Sequence, residues 1–131
     1  MKYVFGASGA VETELAFGTL HISSNEEIGF RPFQLLVSSI VGCSGGLLKT
    51  ILEKKKIQYD SIEMDVKVER NPEEANKITK IALHFIVYGE NLKEETLQKS
   101  LNLAMKNCSM AQSVKGAIEI VETIEKREKT V

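Results

Sequence analysis

Hydrophobic and polar positions change period several times along the chain. Lys2–Phe5, Val11–Leu15 and Thr19–Ile22 read as short strands, separated by Gly6-Ala-Ser-Gly9 and by Gly18, as tight turns require. A polar loop, Ser23 to Gly29, follows. Pro32 has a fixed φ and no N–H to lose, so it suits the first turn of a helix. From there Phe33, Leu36, Val37, Ile40, Val41, Leu47, Leu48, Ile51 and Leu52 recur at helical spacing, which predicts a helix running to Lys54 or Lys55. Its other face carries Ser38, Gly42, Gly45 and Gly46, with charge only at Lys49 and Glu53. Glycine inside a helix costs about 1 kcal/mol relative to alanine. Glycines so placed point to the close approach of another backbone, and to a helix buried on both sides, one of them by a second subunit.

Beyond the helix the period drops to two. Ile62–Glu69 alternates apolar and charged residues, as a strand with one wet face does. Asn71–Asn76 is a turn, and Lys77–Tyr88 returns with Ile81, Leu83, Phe85 and Val87 on one face. Gly89-Glu-Asn91 closes that hairpin. A second helix begins near Lys93, where Glu94 and Glu95 complement the dipole. Leu97, Leu101, Ala104 and Cys108 share one stripe, so Cys108 faces inward. Ser109–Lys115 reads as a helical turn, Ala117–Ile124 as a last strand, and 125–131 as a charged, frayed end. The element order defines an α+β domain. The N-terminal strands are too short to cover the back of the first helix, which an intertwined homodimer would remedy.

A chain of 131 residues is expected to form one domain, residues 1–131. Its 43% apolar and 27% charged residues are ordinary for a globular protein. A net charge of −1 offers nucleic acid or an anionic membrane no electrostatic hold. The run from Pro32 to Leu48 contains serine and glycine and falls short of the roughly 20 apolar residues of a span, so a core helix is expected. The start carries no secretory pattern. A reducing cytoplasm is therefore the expected location, where a disulfide would be transient.

Candidate chemistry rests on two cysteines. Cys43 lies in the charge-free stretch from Phe33 to Leu48, and Cys108 ends the second helical pattern. Sharing one pocket, they would be a reactive thiol and a partner for the resulting disulfide; apart, they are two small core residues. His21 and His84 have no metal-ligand spacing around them, so no metal is expected. No phosphate loop or nucleophile elbow is present, and no bound cofactor is expected. Lys54-Lys55-Lys56 matches the negative end of the first helix dipole. Phe30, Phe33, Met105 and Met110 read as core, or as the lining of an apolar pocket.

Arg31-Pro-Phe-Gln-Leu-Leu-Val-Ser-Ser-Ile-Val-Gly-Cys43 and Lys106-Asn-Cys-Ser-Met-Ala-Gln-Ser113 resemble the two cysteine segments of the OsmC/Ohr family, the osmotically induced and organic-hydroperoxide-resistance proteins. The likeness runs from about residue 19 onward. It implies an OsmC-like α+β fold, an intertwined homodimer with a central pair of Cys-bearing helices and antiparallel sheets. It also implies reduction of organic hydroperoxides or peroxide, with Cys43 matching the reactive cysteine and Cys108 the resolving one, and an external thiol as reductant. In the peroxidase branch a glutamate follows the proline and pairs with an arginine from the N-terminal strands. Here Phe33 holds the glutamate position and no arginine precedes Arg31, so the chain resembles a branch lacking that pair. Arg31, with Glu27 to orient it, is the nearest candidate activator; Lys49 is another. Cys43, mid-helix among Ile, Val and Leu, is expected to receive little help from the dipole and to have a raised pKa. The expected function is thiol-dependent hydroperoxide reduction in oxidative-stress defence; the alternative is a non-catalytic binding protein for a small apolar molecule on the same fold.

Overall fold

The computed structural model describes residues 1–128. The chain packs as two compact units, Met1–Ser38 and the part from Ser39 onward.

The first unit is a small antiparallel meander of β1 (Val4–Phe5), β2 (Val11–Glu14) and β3 (Thr19–Ile22), in that spatial order. The β1–β2 turn uses Gly9 at φ +94°, a conformation open to glycine without steric cost. β2 stops at Glu14 rather than at the expected Leu15, because Leu15 and Gly18 exchange backbone hydrogen bonds of 3.0 and 3.1 Å across the next turn. β1 is likewise shorter than the expected Lys2–Phe5. Lys2 is bound from the side, its carbonyl accepting from the buried Thr13 hydroxyl at 2.7 Å. The polar loop folds back on β3, where Phe30 N–H donates to His21 O and Ser23 N–H to Phe30 O.

Helix α1 (Pro32–Lys54) starts and ends where the sequence pattern predicts. Its length and apolarity would suit a membrane span, yet Ile40, Ser44, Leu48 and Leu52, each one turn from the next, are buried within the chain. Ser44 sits in this stripe because its hydroxyl turns back to Ile40 O at 2.8 Å, which removes the cost of burying it. Gly45 lies against the sheet, where a Cβ would meet Met64 Cε at 2.9 Å. Gly42 and Gly46 face open space within the chain. The helix stops in a Schellman arrangement: Ile57 N–H reaches Leu52 O at 2.9 Å and Lys56 N–H reaches Glu53 O at 3.0 Å. Lys56 occupies the left-handed position at φ +58°, where glycine is usual.

The second sheet has the order β4 (Ser61–Asn71), β5 (Lys77–Tyr88), β6 (Glu119–Arg127). β4 extends the predicted Ile62–Glu69 at both ends, through a register shift at Glu69/Arg70. Ile81, Leu83, Phe85 and Val87 are buried on one face as expected. The expectation of antiparallel sheets holds for the meander and the β4–β5 hairpin, but β6 runs parallel to β5. α2 (Glu94–Asn107) and α3 (Ser109–Ser113) form the crossover that a parallel return requires. β6 also starts and ends later than the predicted Ala117–Ile124. Glu125, Lys126 and Arg127 were expected to fray, but they pair in register with Ile86, Val87 and Tyr88. Residues 129–131, the rest of that expected end, lie outside the described residues.

The left-handed lysine carries a steric cost that glycine would relieve. Lys56→Gly is expected to stabilise the fold by about 0.5–1 kcal/mol, read as a higher urea midpoint with an unchanged slope; a lower midpoint would contradict the assigned helix end.

Candidate active site

Cys43 sits one residue before Ser44, so it lies about 100° around α1 from the buried stripe and is half-buried at its margin. Cys108 is fully buried at the junction where α2 ends and α3 begins, with extended backbone at φ −74°, ψ 107°. The chain turns there because Cys108 N–H closes α2 on Met105 O while Cys108 O begins α3 by accepting from Gln112 N–H at 2.9 Å.

The first N–H groups of a helix have no partner inside it. In α3 these donors go to sulfur. Ala111 N–H donates to Cys108 Sγ at 3.4 Å, so a cysteine stands where Ser, Thr, Asp or Asn usually caps. The N–H groups of Met110 and Ser109 act on Cys43. Ser109 adds its side chain, with Oγ 3.8 Å from Cys43 Sγ. Cys43 and Cys108 also act on each other's thiols, so the two side chains are neighbours.

These contacts divide the pair. The Met110 N–H, then the Cys108 thiol, and more weakly Ser109, hold the Cys43 pKa below the usual thiol value against a smaller effect of burial. Burial first, and then the bond to Cys43, push Cys108 up. This reverses the expectation that Cys43 would have a raised pKa. That expectation considered only the residues of α1, whereas the stabilising dipoles come from α3.

Each charged candidate has a contact of its own. Arg31 and Glu27 belong to the first unit. There the Arg31 guanidinium lies 4.8 Å from the Phe33 ring centroid, a cation–π contact, and Glu27 N–H donates to Asn25 Oδ1 in a turn. Lys49 pairs with Glu53 at 3.1 Å on the surface of α1. No charged side chain is among the causes of the Cys43 shift. Within the lysine run, Lys55 Nζ donates to the buried Ser100 Oγ at 2.8 Å and so ties the end of α1 to α2. The half-buried His84 bridges Thr123 and Glu125, at 2.6 and 2.9 Å, on the sheet. No cluster of three or more His, Cys, Asp or Glu able to hold a metal occurs among the described residues. Met105 is buried, while Met110 and Phe30 are exposed.

The residue that sequence reasoning passed over is Ser109. The signal was local: a cysteine followed by Ser-Met-Ala-Gln at the start of a helical turn already hints that the sulfur faces free amides.

The class of protein follows from comparison of this α+β chain with known proteins. The model of the OsmC-like protein family matches residues 24–123. Protein YhfA of Escherichia coli K12 is 32% identical over 126 residues, covering 95% of this chain and 94% of that one. The chain therefore belongs to the OsmC-like family. The crystal structure of a hypothetical protein from Aquifex aeolicus shares the fold, with a TM-score of 0.87 at 21% identity over 98% of this chain and 96% of that one. So does the organic hydroperoxide resistance protein OhrB of Bacillus subtilis, with a TM-score of 0.63 at 20% identity and 95% coverage of both chains.

A thiol's alkylation rate follows its thiolate fraction, which rises with pH through the pKa. Cys43 should therefore reach half its maximal rate with iodoacetamide at a pH below that of an unperturbed thiol, while buried Cys108 stays unmodified. Peptide mass spectrometry across a pH series reads both. A Cys43 midpoint at or above the ordinary thiol value would overturn the assigned geometry.

Proposed function

We propose that the protein reduces organic hydroperoxides in oxidative-stress defence, with Cys43 attacking and Cys108 resolving. The observation that supports this most directly is that Cys43 and Cys108 are neighbours acting on each other's thiols, with Cys43 drawn down and Cys108 pushed up. The Cys43 thiolate attacks the outer peroxide oxygen, forming S–O and breaking O–O, so that Cys43 becomes a sulfenic acid and an alkoxide departs. Cys108 sulfur then displaces water from the sulfenic acid, giving the Cys43–Cys108 disulfide. Two equivalents of an external thiol reduce it by exchange. The family membership and the organic-hydroperoxide-resistance relative on the same fold favour the same substrate class. A cytoplasmic setting, where thiol reductants are abundant, suits the cycle.

The second reading, a non-catalytic binding protein, draws on an open cleft of about 460 Å³ lined by Met105, Ala111, Ile118 and Ile120, with Lys106 and Lys115 among its polar lining. It requires no hydroperoxide turnover, so one experiment separates the two. One equivalent of cumene hydroperoxide should convert the chain to a form lighter by two hydrogens. Cys43→Ser should show no mass change, and Cys108→Ser should stop at the sulfenic acid. Equal peroxide consumption by wild type and Cys43→Ser would refute the catalytic reading.

We also propose a homodimer. Phe5, Phe17 and Phe30 of the first unit are exposed, at 79%, 106% and 60%, and Gly42 and Gly46 leave one face of α1 open to close approach. Sedimentation equilibrium should give twice the chain mass, and Gly46→Glu should shift it toward one chain; an unchanged monomer in wild type would contradict the proposal.

A further inference from the structure

Hydroperoxide reduction creates a problem at the leaving oxygen as well as at the sulfur. When O–O breaks, the departing oxygen carries a full negative charge and takes up a proton. No charged side chain is among the groups acting on Cys43. The Met110 amide holds the sulfur and has no proton to give. Cys108 is fully buried and must remain free to close the disulfide. Ser109 differs from both: it is exposed, its Oγ lies 3.8 Å from Cys43 Sγ, and its carbonyl is pinned by the Ser113 hydroxyl at 2.7 Å. An in-line attack puts the departing oxygen one bond beyond the captured one, toward the side from which the peroxide enters. A hydroxyl beside the sulfur on its solvent side is within proton-transfer reach of that oxygen.

We propose that Ser109 is a catalytic residue of this reaction, its hydroxyl donating a proton to the oxygen that leaves when Cys43 attacks a hydroperoxide. The inference rests on the hydroperoxide reading above. In the step, the Cys43 thiolate loses two electrons and gains the outer OH of ROOH as a sulfenic acid. The RO oxygen takes both electrons of the O–O bond and the Ser109 proton, leaving as ROH, and the serine oxygen recovers a proton from water. The site would then favour peroxides whose leaving oxygen is a strong base, because only those need the donor.

The nature of the leaving group supplies the test. In single-turnover oxidation of the full chain, Ser109→Ala should slow reaction with cumene hydroperoxide by about a hundredfold, the scale of general-acid catalysis. The same variant should react with peracetic acid within about threefold of wild type, since a departing carboxylate needs no proton. Ser109→Thr, which keeps the hydroxyl, should recover most of the cumene hydroperoxide rate. Equal slowing with both oxidants would assign Ser109 a purely structural role and overturn the inference, as would an unchanged cumene hydroperoxide rate. If wild type fails to react with cumene hydroperoxide at all, the hydroperoxide reading falls together with this one. If wild type reacts and only the Ser109 variants behave otherwise than expected, that reading stands and this one falls.

Discussion

The site depends on where the unpaired amides of α3 find their acceptors. A helix of a single turn cannot satisfy its first N–H groups internally. Here Ala111 N–H rests on Cys108 Sγ, and the Met110 and Ser109 amides act on Cys43. Hydrogen bonds to a charged acceptor contribute about 1.5–3 kcal/mol each, and one pKa unit corresponds to about 1.4 kcal/mol. The Met110 amide is the largest influence on Cys43 and exceeds the modest desolvation of this half-buried thiol. The same dipoles do not offset the burial of Cys108, which is pushed up first by desolvation and then by Cys43. The asymmetry between the two thiols follows from their unequal burial and from the amides beside Cys43, with no charged side chain among the causes.

That arrangement requires α1 to present Cys43 at a fixed height and rotation. The buried stripe Ile40, Ser44, Leu48 and Leu52 fixes the rotation, and Gly45 leaves room for the Met64 side chain of β4 to lie against the helix. The crossover through α2 and α3 supplies the rest. A parallel return from β5 to β6 needs a connection long enough to span the sheet, and the break within it falls at Cys108. Lys55 and Ser100 link the far end of α1 to α2, so both helices that carry the thiols are tied to each other as well as to the sheet.

Much of this was legible from periodicity alone. The bounds of α1, the full extent of β5 and the inward face of Cys108 all follow from apolar spacing. Most of the misses concern interactions between segments distant in sequence. Glu125, Lys126 and Arg127 look like a solvated tail until their pairing with Ile86, Val87 and Tyr88 is known. The parallel sense of β6 has no local signature. The direction of the Cys43 pKa shift was misread because burial can be estimated from neighbours on one helix, whereas the donors come from residues 66 or so positions away, as Ser109 does. Arg31 drew attention as the nearest cation in sequence, yet its guanidinium is matched to Phe33, the very residue that replaces the glutamate of the peroxidase pattern.

That substitution is coherent in physical terms. A carboxylate orients an arginine and tempers its charge; an aromatic ring instead holds the guanidinium against its face. With phenylalanine at that position the Arg31 guanidinium has an aromatic partner, and no charged side chain is among the causes of the Cys43 shift. Backbone amides are the natural substitute, because their position is set by the fold and their strength does not depend on a side chain's ionisation or on salt screening between exposed charges. They stabilise a thiolate but cannot follow the charge as it moves to a departing oxygen. A site activated by amides is therefore well equipped for the sulfur and poorly equipped for the leaving group. This makes a mobile hydroxyl at the edge of the pair, the Ser109 side chain, the group on which such chemistry would turn.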